Sequence, residues 1–105
     1  MVFSDLQQWY SAQCDGDWEH GFGIKIDTLD NPGWALTVNL EGTLLEEKLF
    51  PEINIKENRR SWLYCSVKDR LFIGRGDPSR LEEMLTIFIT WAQSEPDWLR
   101  VEYGE

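Results

Sequence analysis

The sequence predicts a single two-layer α+β domain: a mainly antiparallel sheet with an N-terminal helix and a longer C-terminal helix packed on one face. Three observations carry this reading. Apolar residues recur at helical spacing near the start and again over residues 78–93, they alternate with period two in between, and no linker, repeat or low-complexity tract divides residues 1–105. A chain of 105 residues buries roughly 65% of the surface its unfolded form exposes, which is enough for one core. With 42% hydrophobic and 13% aromatic residues, disorder arising from low hydrophobicity is excluded.

The first helix is expected over residues 5–14. Ser4 followed by Gln7 has capping-box spacing, and Leu6, Trp9, Tyr10 and Gln13 share a helical face. The DGD that follows offers Gly16 to the left-handed conformation that ends helices. From Phe22 the period changes to two, with Phe22, Ile24 and Ile26 alternating with Gly23, Lys25 and Asp27, as a strand with one buried face requires. Trp34, Leu36, Val38 and Leu40 repeat the alternation. Between these runs, LDNPG places Pro32 and Gly33 at the second and third positions of a type II turn, so the two strands are expected to be antiparallel neighbours.

Residues 44–57 are read as strands, LLEEKLF and then INIKE after Pro51. SWLYCSVK from Ser61 and RLFIG from Arg70 are rich in aromatic and branched residues and form a hairpin about Lys68 and Asp69. A helix over residues 78–93 follows, with Asp77 as N-cap, Pro78 at its first position, and Glu82 and Glu83 near the positive end of its dipole. Leu81, Met84, Leu85, Phe88, Ile89, Trp91 and Ala92 give it a wide apolar stripe that needs a sheet to cover. Past Pro96, DWLRVEY is expected as a terminal edge strand. One sheet face stays open and more polar.

Charge narrows the partners. Ten Lys and Arg against 19 Asp and Glu give a net charge of -9, which disfavours phosphate backbones and anionic membranes and favours a basic protein. The excess is concentrated at the start: residues 1–31 hold Asp5, Asp15, Asp17, Glu19, Asp27 and Asp30 against Lys25 alone. No basic segment with an apolar core precedes the first helix, and no long apolar span occurs, so a cytoplasmic location with Cys14 and Cys65 reduced is expected. A disulfide between the two cysteines, and the oligomeric state, stay open.

The stretch QCDGDWEHGFGIKIDTLDNPGW invites a search for chemistry. Asp15, Asp17 and Glu19 begin the spacing of a calcium loop, but His20 stands where that loop needs glycine and Ile26 where it needs glutamate. Zinc ligands come in close pairs, and one histidine with isolated cysteines supplies none. Cys14 with His20 could be nucleophile and base, yet the acidic neighbours raise a thiol pKa, and Cys14 near a helix end reads as a small buried hydrophobe. GRGDP is absorbed by the helix cap, and GFG lacks the third glycine of a dinucleotide fingerprint. No catalytic residue, metal or cofactor is assigned. What remains is a partner-binding cluster of Asp15, Asp17, Trp18, Glu19, His20, Asp30, Asn31 and Trp34, carboxylates beside amphipathic aromatics. For both tryptophans, core packing is the competing reading.

At these residues the sequence resembles the immunity protein 53 family of bacterial polymorphic toxin systems. The carrying run is LQQWYSAQCDGDWEHGFGIKIDTLDNPGW, continued by ALTVNLEGT to Thr43, while SWLYCSV and IGRGDPSRLEEML fit the family's layout with less distinctive letters. The resemblance implies a small cytosolic antidote that binds and blocks a cognate toxin without catalysis; it carries no contact residues. The acidic balance independently suits a toxin with a basic surface, such as a nuclease. The alternatives are a small metal-binding or hydrolytic enzyme built on residues 14–20, and a generic cytosolic protein-binding module.

Overall fold

A computed structural model describes residues 1–94. Helix α1 (Val2–Gln13) leads through a 3-10 turn (Trp18–His20) into strands β1 (Ile24–Leu29), β2 (Gly33–Asn39), β3 (Ile53–Asn58), β4 (Ser61–Lys68) and β5 (Leu71–Gly76), and helix α2 (Leu81–Gln93) follows. All neighbouring strands are antiparallel, in the order β1-β2-β5-β4-β3. The expected α+β architecture is therefore present. The expected DWLRVEY strand lies outside the described residues.

Strand register decides what each face carries. Trp34, Leu36 and Val38 of β2 pair with Gly76, Gly74 and Phe72 of β5, which pair in turn with Leu63, Cys65 and Val67 of β4. These side chains form the helix-facing layer, where Leu36, Val38, Leu63, Cys65 and Phe72 are fully buried with Met84, Leu85 and Phe88 of α2. Each such large apolar side chain contributes roughly 1.5–3 kcal/mol on leaving water. Gly74 lets the layers meet: a Cβ there would lie 2.6 Å from Met84 Cγ, closer than packed carbons approach. Helix α1 buries no residue completely. It leans on α2 instead, with the Trp9 ring edge-on to Phe88 at a centroid separation of 5.0 Å.

Several local expectations are corrected. Helix α1 starts at Val2 with Met1 as N-cap and no side-chain cap, so Ser4 and Gln7 form no capping box; partial burial of Val2 against the core carries the helix one turn further back. Gly16 does take a positive φ of 97°. In the first strand pair, Leu29 is opposite Gly33, making a three-residue turn of Asp30, Asn31 and Pro32. Gly33 is the first residue of β2 rather than a type II turn residue; its missing side chain admits the Gly76 carbonyl oxygen. Ladder pairing begins at Ile24, leaving Phe22 before the strand and exposed.

Residues 44–50 form no strand. Successive i to i+3 bonds, Thr43 N–H to Leu40 O, Glu46 N–H to Thr43 O and Lys48 N–H to Leu45 O, wind residues 40–48 into turns. Within residues 44–50 only Leu45 is buried, while Leu44 is 99% exposed. Lys48 Nζ reaches the carbonyl oxygens of Trp91 and Ser94, both at 2.7 Å, satisfying the C-terminal end of α2. The INIKE strand is present within β3. The β4–β5 hairpin turns on Asp69 and Arg70, at φ 54° and 64°, one residue later than expected; positive φ at both central positions is the twist that two-residue hairpins favour.

Helix α2 presents the expected stripe, with Met84, Leu85, Phe88, Ile89 and Trp91 buried, but it begins at Leu81, not Pro78, and Asp77 is not its cap. The Asp77 carboxylate is engaged elsewhere. Oδ1 accepts the backbone N–H of Ser79 at 2.8 Å and its hydroxyl at 2.6 Å, while Oδ2 accepts the N–H of Trp62 at 2.8 Å and Arg80 Nε at 3.1 Å. Residues 77–80 are thereby held as a turn that ties the start of β4 to the start of α2.

Candidate functional site

The acidic loop between α1 and β1 is organised by its own carboxylates. Asp15 Oδ1 accepts the N–H groups of Asp17 at 2.9 Å and Trp18 at 3.0 Å. The two Glu19 oxygens accept those of Asp15 at 2.9 Å and Gly16 at 2.8 Å. Composition marks these acids only as partner contacts, but Asp15 and Glu19 also serve the fold, satisfying four backbone donors that follow a helix end. The Trp18 and Asp17 N–H groups hold the Asp15 carboxyl below the usual carboxylate range. The Glu19 carboxyl is lowered likewise, first by its own backbone N–H, then by those of Asp15 and Gly16, with a smaller contribution from the His20 charge.

Asp17 differs. It is exposed, and among the described residues its carboxylate forms no hydrogen bond or ion pair. Asp15, Asp17 and Glu41 border a shallow depression of about 280 Å³ floored in part by Trp18. His20 is exposed beside them. Trp18 is only 9% exposed; its ring packs against Trp9 and Tyr10 at 5.7 and 5.6 Å, and its indole N–H is donated to Asn39 O at 3.0 Å. It anchors the loop to the end of β2.

Asp30, Asn31 and Trp34 stand elsewhere. Asp30 and Asn31 occupy the β1–β2 turn, at the other end of a strand that runs for roughly 16 Å. Trp34 is half-buried, and its indole N–H is donated to Pro78 O at 3.0 Å, beneath the start of α2. The eight residues grouped by sequence thus divide into Asp15, Asp17, Trp18, Glu19 and His20 at one end of the β1–β2 hairpin and Asp30, Asn31 and Trp34 at the other. The length of β1 separates them.

The two cysteines occupy different environments. Cys14 is exposed, its thiol directed at Tyr10 O at 3.4 Å, and is not the buried hydrophobe the helix pattern suggested. Cys65 is the buried one, and loss of solvation, with a smaller contribution from Glu83, pushes its thiol up to about 12. Both are free thiols. Among the described residues, no three His, Cys, Asp or Glu side chains gather as metal ligands would. No helix among them is long and apolar enough to cross a membrane.

A concavity of about 1000 Å³ was not foreseen. It opens between the β1–β2 turn and the β3–β4 hairpin, and Asn31, Lys56, Arg59, Arg60, Trp62 and Tyr64 are among its walls. Register explains the aromatic pair. Cys65 and Leu63 share the helix-facing layer with Gly74 and Gly76, so Trp62 and Tyr64 project from the opposite face, with Lys56 paired to Trp62 and Arg75 to Tyr64. Arg59 and Arg60 form the tip of the β3–β4 hairpin, where Asn58 Oδ1 accepts the Arg60 N–H at 2.8 Å. The signal in the sequence was ENRRSWLY, two arginines next to alternating aromatics.

The chain matches the immunity protein 53 family over residues 3–93. No curated protein and no solved structure matches it. The match spans α1 through α2, so it takes in the acidic loop, the whole sheet and the cleft, and the family points to a toxin-neutralising immunity function. On that match the chain belongs to the immunity protein 53 family.

Proposed function

We propose that this protein neutralises its cognate toxin by occlusion, and that the toxin presents a basic surface, as a nuclease would, to the acidic end of the domain. The observation that supports this reading most directly is the state of Asp17. The Asp15 and Glu19 carboxylates shape the loop through four backbone hydrogen bonds, and that loop holds out an exposed Asp17 carboxylate that forms no ion pair among the described residues. Arg59, Arg60 and Arg75, the cations that could have neutralised the loop, form no ion pair with it. An unpaired carboxylate held by a fixed loop steers a cationic partner and loses little freedom when it docks. Asp30 and Asn31 extend the proposed contact along the hairpin, and Trp18 and Trp34 support it from beneath. No catalytic residue or cofactor enters the mechanism, and the protein acts in the cytoplasm, where the toxin would meet its target.

Titration tests this reading. The purified cognate toxin domain is mixed with increasing amounts of the protein, and residual toxin activity is measured. Occlusion gives activity that falls linearly and vanishes near one equivalent. Inactivation by far less than one equivalent would instead identify an enzyme.

A further inference from the structure

We infer that the cleft between the β1–β2 turn and the β3–β4 hairpin is a docking site for a carboxylate-bearing segment of the partner protein, a second pole of opposite sign to the acidic loop. This rests on the reading of the chain as an immunity protein that binds a toxin.

The first support is a placement that folding alone does not explain. The chain carries 19 acids and ten Lys and Arg, so an arginine on its surface has many carboxylates available. Arg80 has three acidic partners, Asp77, Glu83 and Glu57, and Arg70 pairs with Glu46. Lys56, Arg59 and Arg60 pair with none among the described residues, although all three border one concavity. The acidic group in that lining, Asp77, is 1% exposed and its oxygens are already taken by Ser79, Trp62 and Arg80. It does not neutralise the rim.

The second support is the hydrogen-bonding inventory. Two guanidinium groups, an ammonium and the Trp62 indole N–H are donors without acceptor capacity. Among the described residues none of these side chains donates a hydrogen bond, and the Tyr64 hydroxyl beside them is likewise unengaged. These unengaged donors on an otherwise largely apolar lining call for an occupant that brings acceptors to them, and arginine forks match carboxylates two bonds at a time.

The third is composition. Trp, Tyr and Arg are the residues that dominate binding energy at protein interfaces, above all in a concave setting. Trp62 and Tyr64 are half-buried on the face that neither helix covers. A nucleic acid would suit the donors, but a net charge of -9 and only three rim cations oppose a polyphosphate, whose binding rests on many neutralised phosphates. An acidic protein segment brings its charge locally.

The test uses the full chain and its cognate toxin domain, with binding followed by surface or solution kinetics. Arg59→Glu/Arg60→Glu is expected to raise Kd about tenfold or more, and Arg59→Lys/Arg60→Lys to retain most of the affinity. Both pairs of changes lie in an exposed hairpin tip and should leave the melting temperature unchanged. Acid-to-lysine changes in the toxin should restore binding to the Glu variant. Lys56→Glu gives an independent reading from β3. Unchanged Kd in both charge-reversed variants, with wild type binding normally, overturns the inference while leaving the immunity reading intact. Capture of a single-stranded oligonucleotide at physiological salt, lost in Arg59→Glu/Arg60→Glu, overturns it in favour of nucleic acid. Failure of the wild-type chain to bind the toxin removes the immunity reading, and this inference with it.

Discussion

Trp62 and Asp77 hold each other reciprocally: the Trp62 N–H is donated to Asp77 Oδ2 at 2.8 Å, and the Asp77 N–H to Trp62 O at 3.1 Å. The pair joins the start of β4 to the turn before α2, and both residues line the cleft. Replacing Asp77 by Ala strands the Trp62 and Ser79 donors in a site with almost no water, and should lower unfolding free energy by about 3 kcal/mol. Urea denaturation measures this; a loss below a few tenths would show that the bridge is incidental.

The same carboxylate sets an acid dependence. Burial acts to raise its pKa, but the bonds from Ser79, Trp62 and Arg80 outweigh burial and hold it well below the unfolded value, which is about 3.9. A depressed carboxylate releases its proton more readily in the folded state, so its stabilising contribution is complete above the unfolded pKa and disappears as pH falls through the folded one. The stability difference between wild type and Asp77→Asn should be constant from neutral pH down to about pH 5 and shrink towards pH 2. A difference that grows on acidification would contradict the assignment.

Gly74 should accept no side chain without cost. A Cβ there meets Met84 Cγ at 2.6 Å and Sδ at 2.7 Å in the centre of the helix-sheet contact, so Gly74→Ala should destabilise the fold by about 1–3 kcal/mol. Gly42→Ala is the wrong control because its φ is 79°. Gly21→Ala is the right one, with only the Trp18 carbonyl near at 3.6 Å, and it should melt close to wild type.

The thiols should separate cleanly. Cys14 is exposed, whereas Cys65 is fully buried with its pKa pushed up to about 12. Iodoacetamide at pH 8 should modify one thiol per chain in the native protein and two in urea, and mass spectrometry should place the native label on Cys14. Native labelling of Cys65 would place that residue outside the core.

Much of the fold was legible in the sequence because its signals are local. The alternation of Trp34, Leu36 and Val38 and the stripe from Met84 to Trp91 report burial directly. The misses share a different cause. Asp77 has the right spacing for a helix cap, but its carboxylate serves Trp62, fifteen residues earlier, and no local rule weighs a long-range partner. LLEEKLF has apolar residues enough for a strand, yet Lys48 is drawn to the end of α2 and only Leu45 is buried. The cleft was invisible for the same reason: Asn31 comes to border the same concavity as Arg59 and Trp62 only through the order of the strands. The acidic loop was conspicuous by composition, but its division of labour depends on hydrogen bonds that composition does not contain.

That division is testable residue by residue. Asp15→Ala and Glu19→Ala each release two backbone N–H groups and should lower the melting temperature. Asp17→Ala releases none and should leave it unchanged. A fall in melting temperature for Asp17→Ala equal to the other two would show that all three acids are structural.

Stopped-flow association with the cognate toxin domain reads out whether Asp17 and its loop meet a cationic partner, as proposed. For wild type, the association rate constant should fall steeply as ionic strength rises from 0.01 to 0.15 M, the range over which the screening length shortens from about 30 to 8 Å. Asp17→Lys should associate more slowly at low salt and depend less on salt, with an unchanged melting temperature. Rates that are indifferent to salt and identical in the two proteins would show that Asp17 does not steer the partner.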